Sequence, residues 1–169
     1  MVKFILYIVI LMSAFTCSNV ADAVNPYYEL ITSVQKQETE RDINCLAQNI
    51  YFEARGESLV GQVAVAEVTL NRVKSPKFPN TVCSVVFQEK HGICQFSWCR
   101  NKIKIKDEKS WKESYNIARG VLTGKLHLSI LSHALYYHAF YVRPRWSYSK
   151  IRIARIGNHI FYRNKKELI

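Results

Sequence analysis

The sequence is poor in acidic residues, since 13 Asp and Glu stand against 24 Lys and Arg in a chain of 169 residues. The formal net charge is +11, which favours a polyanionic partner such as a cell-wall polymer, an anionic lipid surface or extracellular nucleic acid. A charge excess can also serve simply to keep a protein in solution. The charge by itself therefore decides neither between these two explanations nor among the three partners.

The sequence also lacks the common motifs that hold metals and phosphate groups. Its five histidines include no pair at the spacing of a helical zinc motif, and its cysteines lack the paired short spacings of a zinc knuckle. It contains no Gly-rich phosphate loop, no internal repeat and no low-complexity tract. We therefore predict that the protein uses no metal and no cofactor.

No apolar run reaches the length of about 20 residues that a membrane-spanning helix needs. The N-terminal apolar run from Phe4 to Ala14 follows Lys3 and precedes Ala21-Asp22-Ala23, whose small residues suit a signal peptidase. We interpret residues 1–23 as a cleaved signal peptide, with an uncleaved membrane anchor as the alternative. The expected location is therefore periplasmic or extracellular.

The rest of the chain is long enough for one domain with its own core. Residues 24–40 are mixed polar, which predicts a flexible lead-in, and the domain is expected to cover residues 41–165. Loss of Cys17 with the signal leaves an even number of cysteines in an oxidising compartment, which favours two disulfides over metal ligation or free thiols. Three disulfide pairings are possible for the four remaining cysteines, which are Cys45, Cys83, Cys94 and Cys99. Two disulfides would exclude a cysteine peptidase, because that chemistry needs a free thiol.

Hydrophobic periodicity and capping signals predict helices in the first part of the domain and strands in the last. The first helix ends near Glu53, and the next two are expected after caps at Ser58 and Asn80. A fourth helix is expected with the acidic residues Asp107 and Glu108 at its front. A loop or short hairpin is expected at residues 94–99, between the third and fourth helices. The strand signals lie at residues 134–138, 151–153 and 160–162, with a hairpin turn at Gly157-Asn158. Helices followed by a small antiparallel sheet indicate the α+β class.

Glu53 closes an apolar helical stripe, so burial there would raise the pKa of its carboxyl and make it a suitable general acid. The competing explanation is an ordinary glutamate paired with Arg55 or another base. Glu57 would be either a second carboxylate of a glycosidase, about 5 to 9 Å away, or a helix-start acid that accepts from backbone amides. We interpret Glu67, on an apolar helix, as a buried group with satisfied hydrogen bonds.

The loop between Cys94 and Cys99 combines an amide, a hydroxyl and two aromatic rings, from Gln95, Phe96, Ser97 and Trp98. Such a mixture suits a sugar, because ring faces cover the apolar side of a pyranose while polar groups meet its hydroxyls. A pair of core aromatic residues beside a structural disulfide is the alternative.

Seven short segments stand in a fixed order between residues 44 and 162: YFEARGE at 51–57, GQVAVA at 61–66, LNRV at 70–73, FPNTVC at 78–83, CQFSW at 94–98, ALYYH at 134–138 and IGNHIF at 156–161. Together they resemble the SleB-type cell-wall hydrolases, the family named for spore cortex-lytic enzymes. The resemblance implies a lysozyme-like α+β fold and cleavage of peptidoglycan between N-acetylmuramic acid and N-acetylglucosamine. It also implies that Glu53 is the acid and base of a lytic transglycosylase, in which the muramic acid 6-hydroxyl replaces water and closes a 1,6-anhydro ring.

The resemblance also assigns the surroundings of the acid. It implies that the loop of Gln95, Phe96, Ser97 and Trp98 lines the cleft, that Tyr136, Tyr137 and His138 flank it, and that Arg55 and Glu57 support it. The pairing it implies is Cys45 with Cys83 and Cys94 with Cys99.

The expected partners are glycan strands and the anionic wall surface, which the basic segment 143–166 would attract, with no nucleic acid and a monomeric state. The alternatives are an N-acetylmuramoyl-L-alanine amidase and a wall-binding module without activity.

Overall fold

The computed structural model describes the backbone of residues 2–99 and 104–165, and the side chains within these ranges from residue 26 onward. The chain divides into two compact units, Met1–Glu40 and Arg41–Ile169. Helix α1 is Val2–Ala54. The side chains of the predicted signal peptide lie outside the described residues. Among the residues that the structure describes, no helix has both the length and the apolar character needed to cross a membrane.

The first unit is helical where we predicted a flexible lead-in. Residues 26–40 are exposed, and their hydroxyl side chains bond back along the helix, as Thr32 does to the carbonyl of Tyr28 at 3.0 Å and Thr39 to that of Gln35 at 2.8 Å. The stretch is rich in Gln, Glu and Lys, which lose little rotamer freedom in a helix. Local propensity therefore gives a helix here without the apolar periodicity that we used as the signal.

The helices of the second unit surround α2 (Leu59–Lys74), which is buried at every position from Gly61 to Thr69. Helix α2 packs against α3 (Val82–Val86) and α4 (Glu108–Leu122), and the end of α1 contributes Leu46 and Ile50, both fully buried. Burying one such side chain stabilises the fold by about 1.5 to 3 kcal/mol. The nearly all-round apolar composition of α2 suits this central position.

Hydrogen bonds at the helix starts confirm one of the two predicted caps and show that Asp107 is a cap as well. Ser58 accepts from the amide of Gly61, and Asp107 accepts from that of Ser110. The prediction that Asn80 caps the third helix is wrong, because Thr81 accepts from the amide of Ser84, three residues on. Short 3-10 helices at Ser97–Cys99, Ser129–Leu131 and Arg145–Ser149 complete the helical elements described.

The strands form two antiparallel sheets. Strands β1 (Glu89–Lys90) and β2 (Ile93–Cys94) make a small hairpin, and β3 (Tyr136–Ala139), β4 (Ile151–Ile156) and β5 (His159–Arg163) make a sheet in the order β3-β5-β4. The register places Tyr137 opposite Phe161 and Arg155 opposite Ile160. Gly157, with φ of 54°, forms the predicted turn between β4 and β5. The α+β class is confirmed.

Both disulfides have the pairing that the resemblance implied. Cys45 is bonded to Cys83, which ties the end of α1 to α3, and Cys94 is bonded to Cys99, which closes the aromatic loop. Because the first bridge closes a loop of 38 residues, loop entropy gives it a stabilising contribution of about 4 kcal/mol.

Candidate active site

Glu53 lies one residue before the end of α1 and is partly buried. Both oxygens of its carboxylate accept a hydrogen bond from an aromatic side chain. The indole Nε1 of Trp98 donates to Oε1 at 2.9 Å, and the hydroxyl of Tyr137 donates to Oε2 at 3.2 Å. The structure therefore brings together a helix end, the disulfide-closed loop and strand β3 at one carboxylic acid.

Burial raises the pKa of Glu53, and this is the largest effect on the group. The hydrogen bonds from Tyr137 and Trp98 and the positive charge of Arg72 oppose it, since each favours the carboxylate. The net result is a pKa above the usual range of a glutamate. Glu53 can thus hold a proton at a higher pH than an exposed glutamate, which is the property a proton donor needs.

Trp98 is fixed by its aromatic neighbours. Its ring stacks on Phe52 with centroids 4.8 Å apart and on Phe96 with centroids 5.8 Å apart, and both Trp98 and Phe96 are buried. Gln95 and Ser97, in contrast, are exposed. Of the four predicted loop residues, Trp98 contacts the acid and Phe96 stacks on Trp98, which agrees with the core-pair explanation for these two rings. Sugar binding by the loop stays a prediction.

Strand β3 separates the three predicted residues of the segment 136–138. Because side chains alternate across a strand, Tyr137 faces Glu53 while Tyr136 and His138 lie on the other face of the sheet. Both pack there against Trp146, and His138 Nε2 lies 2.9 Å from the hydroxyl of Tyr162. The geometry thus places one of the three beside the acid.

Arg72 is a buried cation near the acid that the sequence reasoning did not single out. Its Nε donates to the carbonyl of Leu135 at 2.9 Å, and its guanidinium lies 5.1 Å from the ring centre of Phe78. Burial lowers the pKa of Arg72, while the nearby Tyr137 and Glu53 act in the opposite direction. The sequence does contain a signal for this residue, which is an arginine within an almost wholly apolar helix. Because a charge is rarely buried without a partner, that position predicts a partner for Arg72.

Glu57 binds the β4–β5 turn. Its Oε2 accepts from the amide of Asn158 at 3.1 Å, and its Oε1 lies 3.9 Å from Nδ1 of His159. A Cβ at Gly157 would overlap the same carboxylate. One carboxylate oxygen of Glu57 is thus occupied by a backbone amide, but this amide belongs to the β4–β5 turn and not to the start of α2, where one of our two predictions placed it.

Arg55 is exposed, and its guanidinium lies 4.8 Å from the ring centre of Tyr51. The hydroxyl of Tyr51 in turn accepts from the amides of Lys106 and Asp107 at 3.2 and 3.1 Å. Arg55 thus packs on the residue that connects α1 with the start of α4.

Glu67 is buried and satisfied, as predicted. Its Oε1 lies 2.8 Å from Nδ1 of His127 and accepts from the amide of Leu128 at 3.3 Å. It thereby fixes the segment that follows α4. Within the described part of the chain, no group of three or more His, Cys, Asp or Glu side chains is arranged to hold a metal ion.

Comparison with known proteins identifies the class to which this fold and site correspond. The family model described as Cell Wall Hydrolase matches residues 56–162, and the chain belongs to this family. The matched range begins three residues after Glu53, so the assignment of the acid rests on the site geometry and on the EARGE segment.

The curated relatives are named spore cortex-lytic enzymes. The one from Halalkalibacterium halodurans is 35% identical over 79% of this chain and 38% of its own length, and the one from Bacillus subtilis is 36% identical over 73% and 38%. The chain thus spans less than half the length of these relatives.

Two solved structures each cover 72% of this chain. The catalytic domain of the germination-specific lytic transglycosylase SleB from Bacillus anthracis has a TM-score of 0.58 and 35% identity, covering 72% of this chain and 93% of that one. The catalytic domain of the Bacillus cereus SleB protein has a TM-score of 0.56 and 35% identity, covering 72% and 89%. The lysozyme-like α+β fold is therefore confirmed.

Proposed function

We propose that this protein is a lytic transglycosylase that cleaves peptidoglycan glycan strands, with Glu53 as both acid and base. The observation that carries the proposal is the carboxylic acid itself, which has a raised pKa and is held through both oxygens by Trp98 and Tyr137. The Bacillus anthracis domain is named as a lytic transglycosylase, and its likeness to this chain supports the same reaction.

The reaction needs a single carboxyl group. Protonated Glu53 gives its proton to the glycosidic oxygen, O4 of N-acetylglucosamine, as the bond from C1 of N-acetylmuramic acid breaks. The carboxylate then accepts the proton of the muramic acid 6-hydroxyl, whose oxygen bonds to C1. The acid is restored, an anhydro ring is formed and no water is consumed.

The neighbours of Glu53 suit both halves of this cycle. Trp98 and Tyr137 donate to the carboxylate once its proton has left, and Arg72 supplies a positive charge near that state. Burial favours the protonated state with which the cycle begins. Glu57 accepts from the amide of Asn158, which suits a structural partner better than a nucleophile.

We also propose that the basic surface holds the enzyme on the anionic wall. Arg143, Arg145, Arg152 and Arg155 are all exposed in the predicted segment 143–166, whose last residue lies outside the described residues. Exposed cations attract a polyanion through long-range forces that salt screens.

The test is digestion of purified sacculi by the wild type and by Glu53→Gln, followed by mass spectrometry. We expect anhydro-muropeptides from the wild type and none from the variant. Reducing-end products would instead indicate a hydrolase, and free stem peptides an amidase. If the wild type bound sacculi without releasing any product, the protein would be a binding module.

A further inference from the structure

The sheet of β3, β4 and β5 has an outer face, which points away from the acid. His138 and Tyr162 lie on it and contact each other. Arg152 is paired with Tyr162 in the register, and the bulge that follows Arg152 brings Arg155 to the same face. Both arginines are exposed. The outer face thus carries two cations that the reaction at the inner face does not use.

Exposed aromatic side chains continue this face. The 3-10 helix Arg145–Ser149 covers part of it, since the ring centre of Trp146 lies 5.6 Å from that of Tyr162. Trp146 is nevertheless 36% exposed, and Tyr141 and Tyr148 are 76% and 74% exposed. Large exposed apolar groups that lie close together usually mark a contact with another molecule.

Phe140 joins these rings to the arginines of the sheet. Its ring centre lies 5.5 Å from that of Tyr141, and the guanidinium of Arg155 lies 4.2 Å from the ring centre of Phe140. Rings and cations therefore form one surface, which we name the outer patch. It consists of the aromatic residues Phe140, Tyr141, Trp146 and Tyr148 together with the four exposed arginines of the segment 143–155.

The outer patch offers hydrogen-bond donors but few side-chain acceptors. Residues 139–156 contain five Lys and Arg and no Asp, Glu, Asn or Gln. The hydroxyls of Ser147 and Ser149 donate to the backbone carbonyls of Pro144 and Trp146, each at 2.8 Å. A sugar needs acceptors for its hydroxyl protons as well as donors, whereas a phosphate group needs donors alone. The composition of the patch therefore favours a phosphate group over a glycan.

The exposed rings favour a lipid surface over a phosphate polymer in water. Tyrosine and tryptophan combine an apolar ring with one polar group, which suits them to the boundary between lipid headgroups and acyl chains. Each Lys or Arg near an anionic membrane adds roughly fivefold to the affinity. A wall polymer would offer the arginines the same charge but would leave the rings in water.

We propose that the outer patch binds the surface of an anionic phospholipid membrane. The inference goes beyond the proposed reaction, and it adds a lipid contact of the rings to the long-range attraction that the arginines exert on the wall. Arg152 and Arg155 lie on the face of the sheet opposite to Tyr137, which contacts Glu53. An enzyme held in this way therefore keeps its acid turned away from the lipid and toward the wall.

The experiment measures co-sedimentation with vesicles of phosphatidylglycerol and phosphatidylcholine in equal parts, and with vesicles of phosphatidylcholine alone. The protein tested is residues 24–169, because the apolar run of the predicted signal peptide would bind lipid by itself. This chain keeps the buried residues of the fold, which extend from Ile43 to Asn164. Binding of each variant to purified sacculi is measured in parallel.

Two double variants alter the patch, and each has a matched control elsewhere in the chain. Removal of two exposed rings is compared with removal of Tyr27 and Tyr28, which are 66% and 65% exposed. Removal of two arginines is compared with removal of two exposed lysines. The patch variants are Tyr141→Ser with Tyr148→Ser and Arg143→Gln with Arg152→Gln, and their controls are Tyr27→Ser with Tyr28→Ser and Lys112→Gln with Lys125→Gln.

We expect the wild type to bind the anionic vesicles and not the neutral ones. Loss of the two patch tyrosines should lower vesicle affinity on the order of tenfold and leave sacculus binding unchanged, because only lipid covers the rings. Loss of the two arginines should lower vesicle affinity about 25-fold, which is fivefold for each cation, and should weaken sacculus binding as well. Both control variants should match the wild type on vesicles.

Three results would overturn the inference. The wild type would fail to bind anionic vesicles, or the tyrosine variant would bind them as the wild type does, or the tyrosine variant would lose sacculus binding alone, which would make the patch a glycan surface. Glu53→Gln should bind vesicles as the wild type does. Anhydro-product formation by Glu53→Gln would refute the proposed function and leave the lipid contact in place.

Discussion

Tyr137→Phe tests how the acid is tuned, because it removes one donor to Glu53 and keeps the ring. The hydroxyl lies 3.2 Å from Oε2, which is long for such a bond, so we take the lower end of the range for bonds to charged groups, about 1.5 kcal/mol. Because this bond favours the carboxylate, its loss should raise the pKa of Glu53 further.

The assay is the pH dependence of kcat/KM. The first step needs protonated Glu53, so activity falls as the pH rises through its pKa, and the variant should move this alkaline limb to higher pH. The control is Tyr162→Phe, which removes a hydroxyl bonded to His138 on the other face of the sheet. It should leave the limb in place. If the alkaline limb of Tyr137→Phe stayed at the same pH or moved to lower pH, this hydrogen bond would not have the proposed role.

Three further predictions concern stability and binding. Replacing Cys45 and Cys83 together by serine should lower the free energy of urea unfolding by about 4 kcal/mol, and an unchanged midpoint would contradict the contribution of that bridge. Gly157→Ala should lower the free energy of unfolding by about 2 kcal/mol in the same assay, because the residue has a positive φ and a Cβ there would meet Glu57. If the variant were as stable as the wild type, the turn would tolerate a side chain. Binding to sacculi should weaken as ionic strength rises, and pull-down that is equal at low and high salt would exclude attraction by the basic segment 143–166.

The sequence was sufficient for the end of α1, for α2, α3 and α4 and for the sheet of β3, β4 and β5, and the resemblance made Glu53 the candidate acid. Buried positions in α2 follow from its apolar composition, and the cap at Ser58 follows from residue type. The pairing of acid and loop came from the resemblance, and it agrees with the bond from Trp98 to Glu53. These features depend on local pattern or on a family motif.

The rest depends on contacts between distant segments. Arg72 and Tyr137 reach Glu53 only after α2 and β3 have packed against the end of α1, and no spacing rule connects those positions. Strand alternation predicts that Tyr137 lies on one face of the sheet while Tyr136 and His138 lie on the other. Which of these two faces meets the helices, and therefore Glu53, depends on how the sheet packs.

In the proposed reaction Glu53 directs the muramic acid hydroxyl, and not water, to the broken bond. Digestion of sacculi in water labelled with heavy oxygen tests it most directly, with the new sugar ends analysed by mass spectrometry. The wild type should produce anhydro ends without label, and Glu53→Gln should produce no new ends. An increase in reducing ends over an enzyme-free control, or anhydro ends that persist in Glu53→Gln, would show that this mechanism is wrong.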